Sequence, residues 1–143
     1  MNYRIFVESI KVEKDQRTKL VNFEGFLELR GQFTASGVAS IYPQNGNSDP
    51  RANIKAEQGD TIPVNLGITN VAFSGTSTIV PIKAELWELE FGSQGNDDYG
   101  VREDSMILDG SSRVTKTIPV DISADNSKER GGRVLVTFVA EMQ

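Results

Sequence analysis

Residues 78–100 contain the densest group of carboxylates in the chain, and these are the side chains best suited to do chemistry. Glu88 and Glu90 lie two apart at the end of an apolar run, so on a strand they would emerge on the same face. Calcium takes about six to eight oxygen ligands and accepts irregular loops that supply several carboxylates. The spacing therefore predicts a calcium site, with further binding-loop candidates beside it. The predicted ligands are Glu88, Glu90, Asp97 and Asp98, and the further candidates are Asp15, Tyr99 and Asp104.

Other uses of the same stretch stay open. The four carboxylates could be solvated turn residues, or Glu88, Glu90 and Asp98 could supply the two carboxylates that a glycoside hydrolase holds about 5 to 10 Å apart. Aromatic side chains could instead form a sugar-binding platform, for which the candidates are Trp87, Tyr99 and Tyr42. For Trp87 we favour a place in the core, because Leu89 and Phe91 follow it at strand spacing.

Composition limits the classes of function. The chain of 143 residues has no histidine and no cysteine, which excludes serine–histidine triads, thiolate nucleophiles and disulfides. The net charge of −5 argues against a nucleic-acid partner. The chain contains neither a signal-peptide core nor an apolar run of about 18 residues. We therefore expect a soluble, non-enzymatic protein that is either cytoplasmic or a domain of a secreted protein.

Apolar residues alternate with polar ones along most of the chain, and no window of helical length keeps a 3.6-residue period. The pattern predicts an all-β fold, with residues 1–143 forming a single antiparallel β-sandwich of about eight strands. A closed barrel stays open as the alternative. The alternation changes phase between Leu86 and Trp87, which predicts a bulge or a strand end buried on both faces. The predicted strands cover residues 3–12, 20–33, 38–42, 53–56, 61–69, 78–91, 105–108, 112–122 and 133–142.

The order of a strand, E-x-E, a six-residue loop and D-D-Y-G resembles the third loop of the calcium- and phospholipid-binding C2 domain family. The first strand IFVESIKV, the charged loop EKDQRTK and the final run GGRVLVTFVAEM are also similar to that family. The resemblance implies a C2-like sandwich with a calcium loop at Glu88, Glu90, Asp97, Asp98 and Gly100. Glutamate stands at 88 and 90 where the family has aspartate, and the first loop offers Asp15 alone. A weaker resemblance is to the accessory sandwich of bacterial cytolysin-like proteins.

These observations lead to three hypotheses of function. The first is a binding module that uses loops at one end of the sandwich to engage a membrane surface, a glycan or a protein, with calcium or a polar loop surface as the means. The second is a structural subunit that self-assembles into a homo-oligomer or a larger particle. The third is a small carboxylate-based glycoside hydrolase, which the absence of inserted cleft-forming loops disfavours.

Overall fold

The computed structural model describes residues 1–14, 27–43, 54–88, 98–122 and 132–143. These residues form nine β-strands and no helix, which confirms the predicted all-β class and the expected strand number to within one. Residues 20–26 of the predicted second strand, together with Leu89 and Phe91, lie outside the described residues. The strands are β1 Asn2–Lys14, β2 Leu27–Ala35, β3 Val38–Tyr42, β4 Ile54–Ala56, β5 Thr61–Ala72, β6 Thr78–Glu88, β7 Asp98–Leu108, β8 Arg113–Ile122 and β9 Gly132–Met142.

The strands form two antiparallel sheets, so the described residues build a sandwich and not a closed barrel. The four-stranded sheet has the order β5-β1-β9-β8, and the five-stranded sheet has the order β3-β2-β6-β7. The short strand β4 pairs with β2 beyond the end of β3. Strand β7 packs beside β8 at one edge of the sandwich, and β3 packs beside β5 at the other. Each sheet therefore presents one face to the core and one outer face.

A single apolar core fills the space between the sheets. Alternate residues of each strand supply it, as in β9, where Val134, Val136 and Phe138 are buried and the residues between them are half-buried. The Phe33 ring from the other sheet meets the Phe138 ring edge to face, with centroids 6.3 Å apart. Such pairs add to the burial of the rings themselves. The period-two pattern in the sequence is thus the packing pattern of this core.

Strand β6 keeps one phase along its whole length, which corrects the predicted bulge. Its pairing with β7 runs without a register shift from Thr78 to Glu88. Glu88 takes the next inward position after Leu86, so its carboxylate side chain is only 4% exposed. Trp87 is half-buried on the outer face and is not among the residues of the core cluster. The prediction of a core Trp87 is wrong because the inward and outward positions alternate along β6 without a break. Glu88 therefore points inward although it is polar, and Trp87 points outward.

Strand β7 is longer than its sequence pattern indicates. The prediction covered residues 105–108, whereas the strand begins at Asp98. Residues 98–104 therefore belong to a strand and not to a loop. Edge strands commonly carry charged residues at positions that a central strand would fill with apolar ones, which hides their period. Arg102 and Glu103 are exposed charged residues of this kind.

The edge where β7 meets β8 is closed by backbone contact and by one ion pair. Gly100 lies so close to β8 that an added Cβ would be 2.3 Å from the Asp121 carbonyl oxygen. Further along the edge, the Lys116 ammonium lies 3.7 Å from the Asp104 carboxylate. Glycine is required at position 100 because only a residue without a Cβ lets the two strands approach this closely.

The two ends of the sandwich differ in the length of their connections. At one end, short connections join the strands, at residues 36–37, 73–77 and 109–112. At the other end, β1, β3, β6 and β8 finish, and residues 15–26, 44–53, 89–97 and 123–131 follow them. Of the predicted site residues that the structure describes, Glu88, Asp98 and Tyr99 lie at this second end, and Asp104 does not.

Candidate functional site

The strand register brings two of the predicted metal ligands to one place. Glu88 is the last residue of β6, and Asp98, the first residue of β7, is its direct partner across the ladder. On its other side Glu88 is the partner of Leu29 in β2. Glu90, Asp97 and Asp15 lie outside the described residues. Within the described part of the chain, no group of three or more acidic side chains gathers as a metal site would need. The calcium site stays a prediction, to be checked by calcium titration.

Asp104 lies away from these acids. It pairs with Ile82 in the ladder, six positions along β7 from Asp98, so the structure does not bring it to the end of β6. Its carboxylate accepts a hydrogen bond from the Ser105 N–H at 2.7 Å. This bond, followed by the nearby Lys116 charge, lowers the pKa of Asp104 below its ordinary value. Asp104 therefore acts in the contact between β7 and β8.

The outer face of the five-stranded sheet carries an aromatic row at the end of β6. Trp87 and Tyr99 are direct cross-strand partners, with ring centroids 5.3 Å apart and planes tilted by 44°. On the other side of Trp87, the Arg30 guanidinium carbon lies 5.8 Å from the Trp87 ring centroid. Cation–π and aromatic contacts of this kind hold side chains in fixed orientations on a sheet surface. Tyr42 packs against the core and does not join this row.

A depression of about 200 Å³ lies next to this row, between β3 and β6. Its lining combines the Arg30 and Trp87 side chains with Gln32, Ile41 and the backbone at Gly31. Tryptophan, tyrosine and arginine are the residue types most often found at the energetic centre of protein interfaces. The aromatic row thus has the composition of a binding surface.

We expect the hydroxyl of Tyr99 to titrate later than an ordinary tyrosine. Partial burial of the ring, a 2.8 Å hydrogen bond donated to Glu85, and the Glu85 charge all raise the Tyr99 pKa. Because the Tyr99 pKa is higher in the folded chain than in the unfolded one, protonated Tyr99 stabilises the fold. This contribution is complete below the ordinary tyrosine pKa and is lost as the pH rises through the pKa of the folded state. Alkaline titration of phenolate absorbance, compared with Tyr99→Phe, measures this pKa. Glu85→Gln should lower it only in part, because burial is the larger cause, and an unchanged pKa would contradict this account.

The same outer face ends in an exposed apolar pair. Ile79 of β6 and Ile107 of β7 are direct cross-strand partners, and they are 69% and 59% exposed. Val101, 46% exposed, lies between this pair and Tyr99 along β7. These isoleucines were not among the residues predicted to bind, although both stand out of phase with the buried residues of their strands. We name the outer-facing residues of β6 and β7 the binding face; they are Ile79, Pro81, Lys83, Glu85, Trp87, Tyr99, Val101, Glu103, Ser105 and Ile107.

The outer face of the four-stranded sheet has a different character. Arg113 forms ion pairs with Glu8 and Glu141, and Arg133 forms one with Asp121. None of the large, exposed apolar residues of the described part of the chain lies on this face. Its paired charges are typical of a solvent-facing surface. Among the described residues, the two outer faces therefore differ in their content of exposed apolar side chains.

Comparisons with known proteins do not assign this chain to a family. No family model matches the sequence, and no curated protein matches it. Among solved structures, the chain is similar to C2 domain A of plant extended synaptotagmin 1, with 12% sequence identity and a TM-score of 0.39. The match covers 99% of this chain and 95% of that one. A likeness at this level carries no function, so a function has to rest on the chain's own geometry.

Nothing in the described part of the chain forms a helix with the length and apolar character needed to cross a membrane.

Proposed function

We propose that this chain is a non-enzymatic protein-binding module that docks its partner on the binding face. The observation that carries the proposal is the exposure of the Ile79–Ile107 pair. Val101 and the aromatic row lie on the same outer face as this pair. Large apolar side chains that lie side by side and stay exposed on a folded surface cost free energy in water and mark contact sites. The absence of histidine and cysteine from the sequence supports a function without catalysis.

The face differs from the loop-based site that the sequence suggested. A sheet face is held rigid by its ladder, so its side chains meet a partner with little loss of conformational freedom. Lys83 and Glu85, 3.3 Å apart, and the exposed Glu103 lie between the apolar end and the aromatic end. Apolar anchors with intervening polar residues are the usual composition of a protein interface. A glycan would leave the Ile79–Ile107 pair without a function. At a membrane surface, the net charge of −5 would be repelled by anionic headgroups.

Site-specific crosslinking tests the proposal cleanly, because the chain has no cysteine of its own. Ser105→Cys, labelled with a benzophenone maleimide, places a photocrosslinker on the binding face next to Ile107 without replacing it. Lys11→Cys places the same label on the outer face of the four-stranded sheet, where Lys11 is exposed. Both labelled variants are irradiated in an extract of the cell that makes the chain, and crosslinked species are identified by mass spectrometry.

We expect a discrete crosslinked species from position 105 and none from position 11. Excess unlabelled wild-type chain should compete it away, whereas the double variant Ile79→Asp/Ile107→Asp should not. Equal crosslinking from the two positions, or competition by the double variant, would show that the binding face has no selective partner. The mass of the species separates a partner of another kind from a second copy of this 15.7 kDa chain.

A further inference from the structure

We infer that the partner of the binding face is a second copy of the same chain, packed face to face across a two-fold axis parallel to β6 and β7. This inference rests on the proposed function and names its partner. Two features of the face carry it: the cross-strand pairs at its two ends are each of one kind, apolar or aromatic, and the central charges have opposite signs on the two strands.

The strand register shows which residues of the two copies would face each other. Ile79 lies opposite Ile107 and Trp87 lies opposite Tyr99, so apolar residues occupy both strands at one end and aromatic residues occupy both strands at the other. A two-fold axis parallel to the strands exchanges β6 with β7. It leaves each cross-strand pair at the same height along the strands. Isoleucines of one copy then face isoleucines of the second copy, and aromatic rings face aromatic rings. A self-complementary patch of this kind is what an isologous dimer requires.

The central charges select this axis over the other two-fold arrangement. Lys83 on β6 and Glu103 on β7 are direct partners in the middle of the ladder. With the axis parallel to the strands, Lys83 of one copy meets Glu103 of the second copy, and the reverse contact forms as well. An axis across the strands at this level would instead place lysine on lysine and glutamate on glutamate. Complementary charges fix the register of an interface and exclude other arrangements, so the parallel axis is favoured.

The size of the sheet surface around the binding face sets the expected strength. An axis that brings Lys83 over Glu103 of the second copy lies between β6 and β7, so only these two strands overlap with their copies. Two strands about 4.8 Å apart and ten residues at about 3.4 Å each give a surface of roughly 10 by 34 Å. The contact area is therefore roughly 330 Å² per copy, well below the roughly 800 Å² per partner of a standard interface. The two copies also carry a net charge of −5 each and repel one another at a distance. The dimer should therefore be reversible, with a dissociation constant that is roughly micromolar or weaker.

Sedimentation velocity at concentrations from roughly 1 to roughly 500 μM tests the inference over the range of that constant. The wild-type chain should shift from monomer to dimer. Lys83→Glu and Glu103→Lys each place like charges across the axis, so each variant alone should raise the dissociation constant about tenfold or more. Lys11→Glu, on the other outer face, is the matched control and should dimerise like the wild-type chain.

Mixing the two single variants gives the decisive result. In a mixed dimer, the glutamate introduced at position 83 of one chain meets the lysine introduced at position 103 of the other. The unchanged Glu103 of the first chain meets the unchanged Lys83 of the second, so both contacts join opposite charges. Dimer should therefore return in the mixture although each variant alone repels its own copy.

Three results would overturn the inference: a wild-type chain that stays monomeric, single variants that dimerise unchanged, or a mixture that stays monomeric. A monomeric wild type with a position-specific crosslink to another protein would overturn the second-copy partner and leave the proposed function standing.

Discussion

Gly100→Ala is expected to lower the free energy of unfolding by about 3 kcal/mol, because not even a methyl group fits between β7 and β8 at this point. The added Cβ would lie 2.3 Å from the Asp121 carbonyl oxygen and 2.9 Å from its carbonyl carbon. These are backbone atoms of a paired strand, so they cannot move away by rotating a side chain. Relief requires the two sheets to separate at this edge. Urea denaturation followed by the fluorescence of Trp87, the sole tryptophan, measures the effect.

Gly67→Ala is the matched control for this prediction. Gly67 also lies in a strand, and the nearest atom to its added Cβ is the end of the flexible Arg4 side chain, at 3.7 Å. We expect a change within about 1 kcal/mol of zero, since alanine restricts the unfolded chain and meets no obstacle in the folded one. Equal losses at the two positions would show that a general intolerance of strand glycines, and not the contact with β8, causes the effect.

Phe138→Ala is expected to lower the free energy of unfolding by about 3 to 5 kcal/mol. Phe138 is fully buried in β9, and its ring meets Phe33 of the opposite sheet. Truncation to alanine removes the buried phenyl ring and leaves a cavity between the two sheets. The hydrogen-bonded ladder of each sheet holds its backbone in place. The surroundings can therefore relax only in part. Chemical denaturation monitored by circular dichroism gives the value.

Phe73→Ala removes the same atoms from a partly buried ring at the edge of the core. Phe73 stacks on Tyr3 with centroids 6.0 Å apart, but its environment is open to solvent on one side. Its loss of stability should be clearly smaller than that of Phe138→Ala. If the two variants lose equal stability, the contact between Phe33 and Phe138 is not the centre of the core.

The arrangement of the binding face has a consequence for the predicted calcium site. Glu88 and Asp98 follow Trp87 and precede Tyr99 in the chain, so the acids and the aromatic row occupy the same end of β6 and β7. A cation bound at that end would change the electrostatic surroundings of Trp87, and its fluorescence would report binding directly. Unchanged fluorescence of Trp87 at millimolar calcium would count against the metal site without affecting the binding face.

The sequence by itself determined the all-β class and most strand positions, whereas the two separate sheets of the structure decided between sandwich and barrel. In β5, β6 and β9 one side of each strand faces the core, so apolar core residues recur at every second position of the sequence. The turn-forming residues between these runs locate the strand ends with similar reliability. Composition also limited the chemistry, because missing residue types are visible without any structure.

Only the tertiary structure decided which residues share a surface. Nothing near Ile79 in the chain shows that it lies beside Ile107, since the register between β6 and β7 depends on the whole ladder. The outer position of Trp87 follows from the same register, which carries Glu88 inward. The requirement for glycine at position 100 arises from Asp121, a residue of the other sheet. Local sequence specifies the conformation of a strand, but the partner across the ladder or the core is set by contacts between distant parts of the chain.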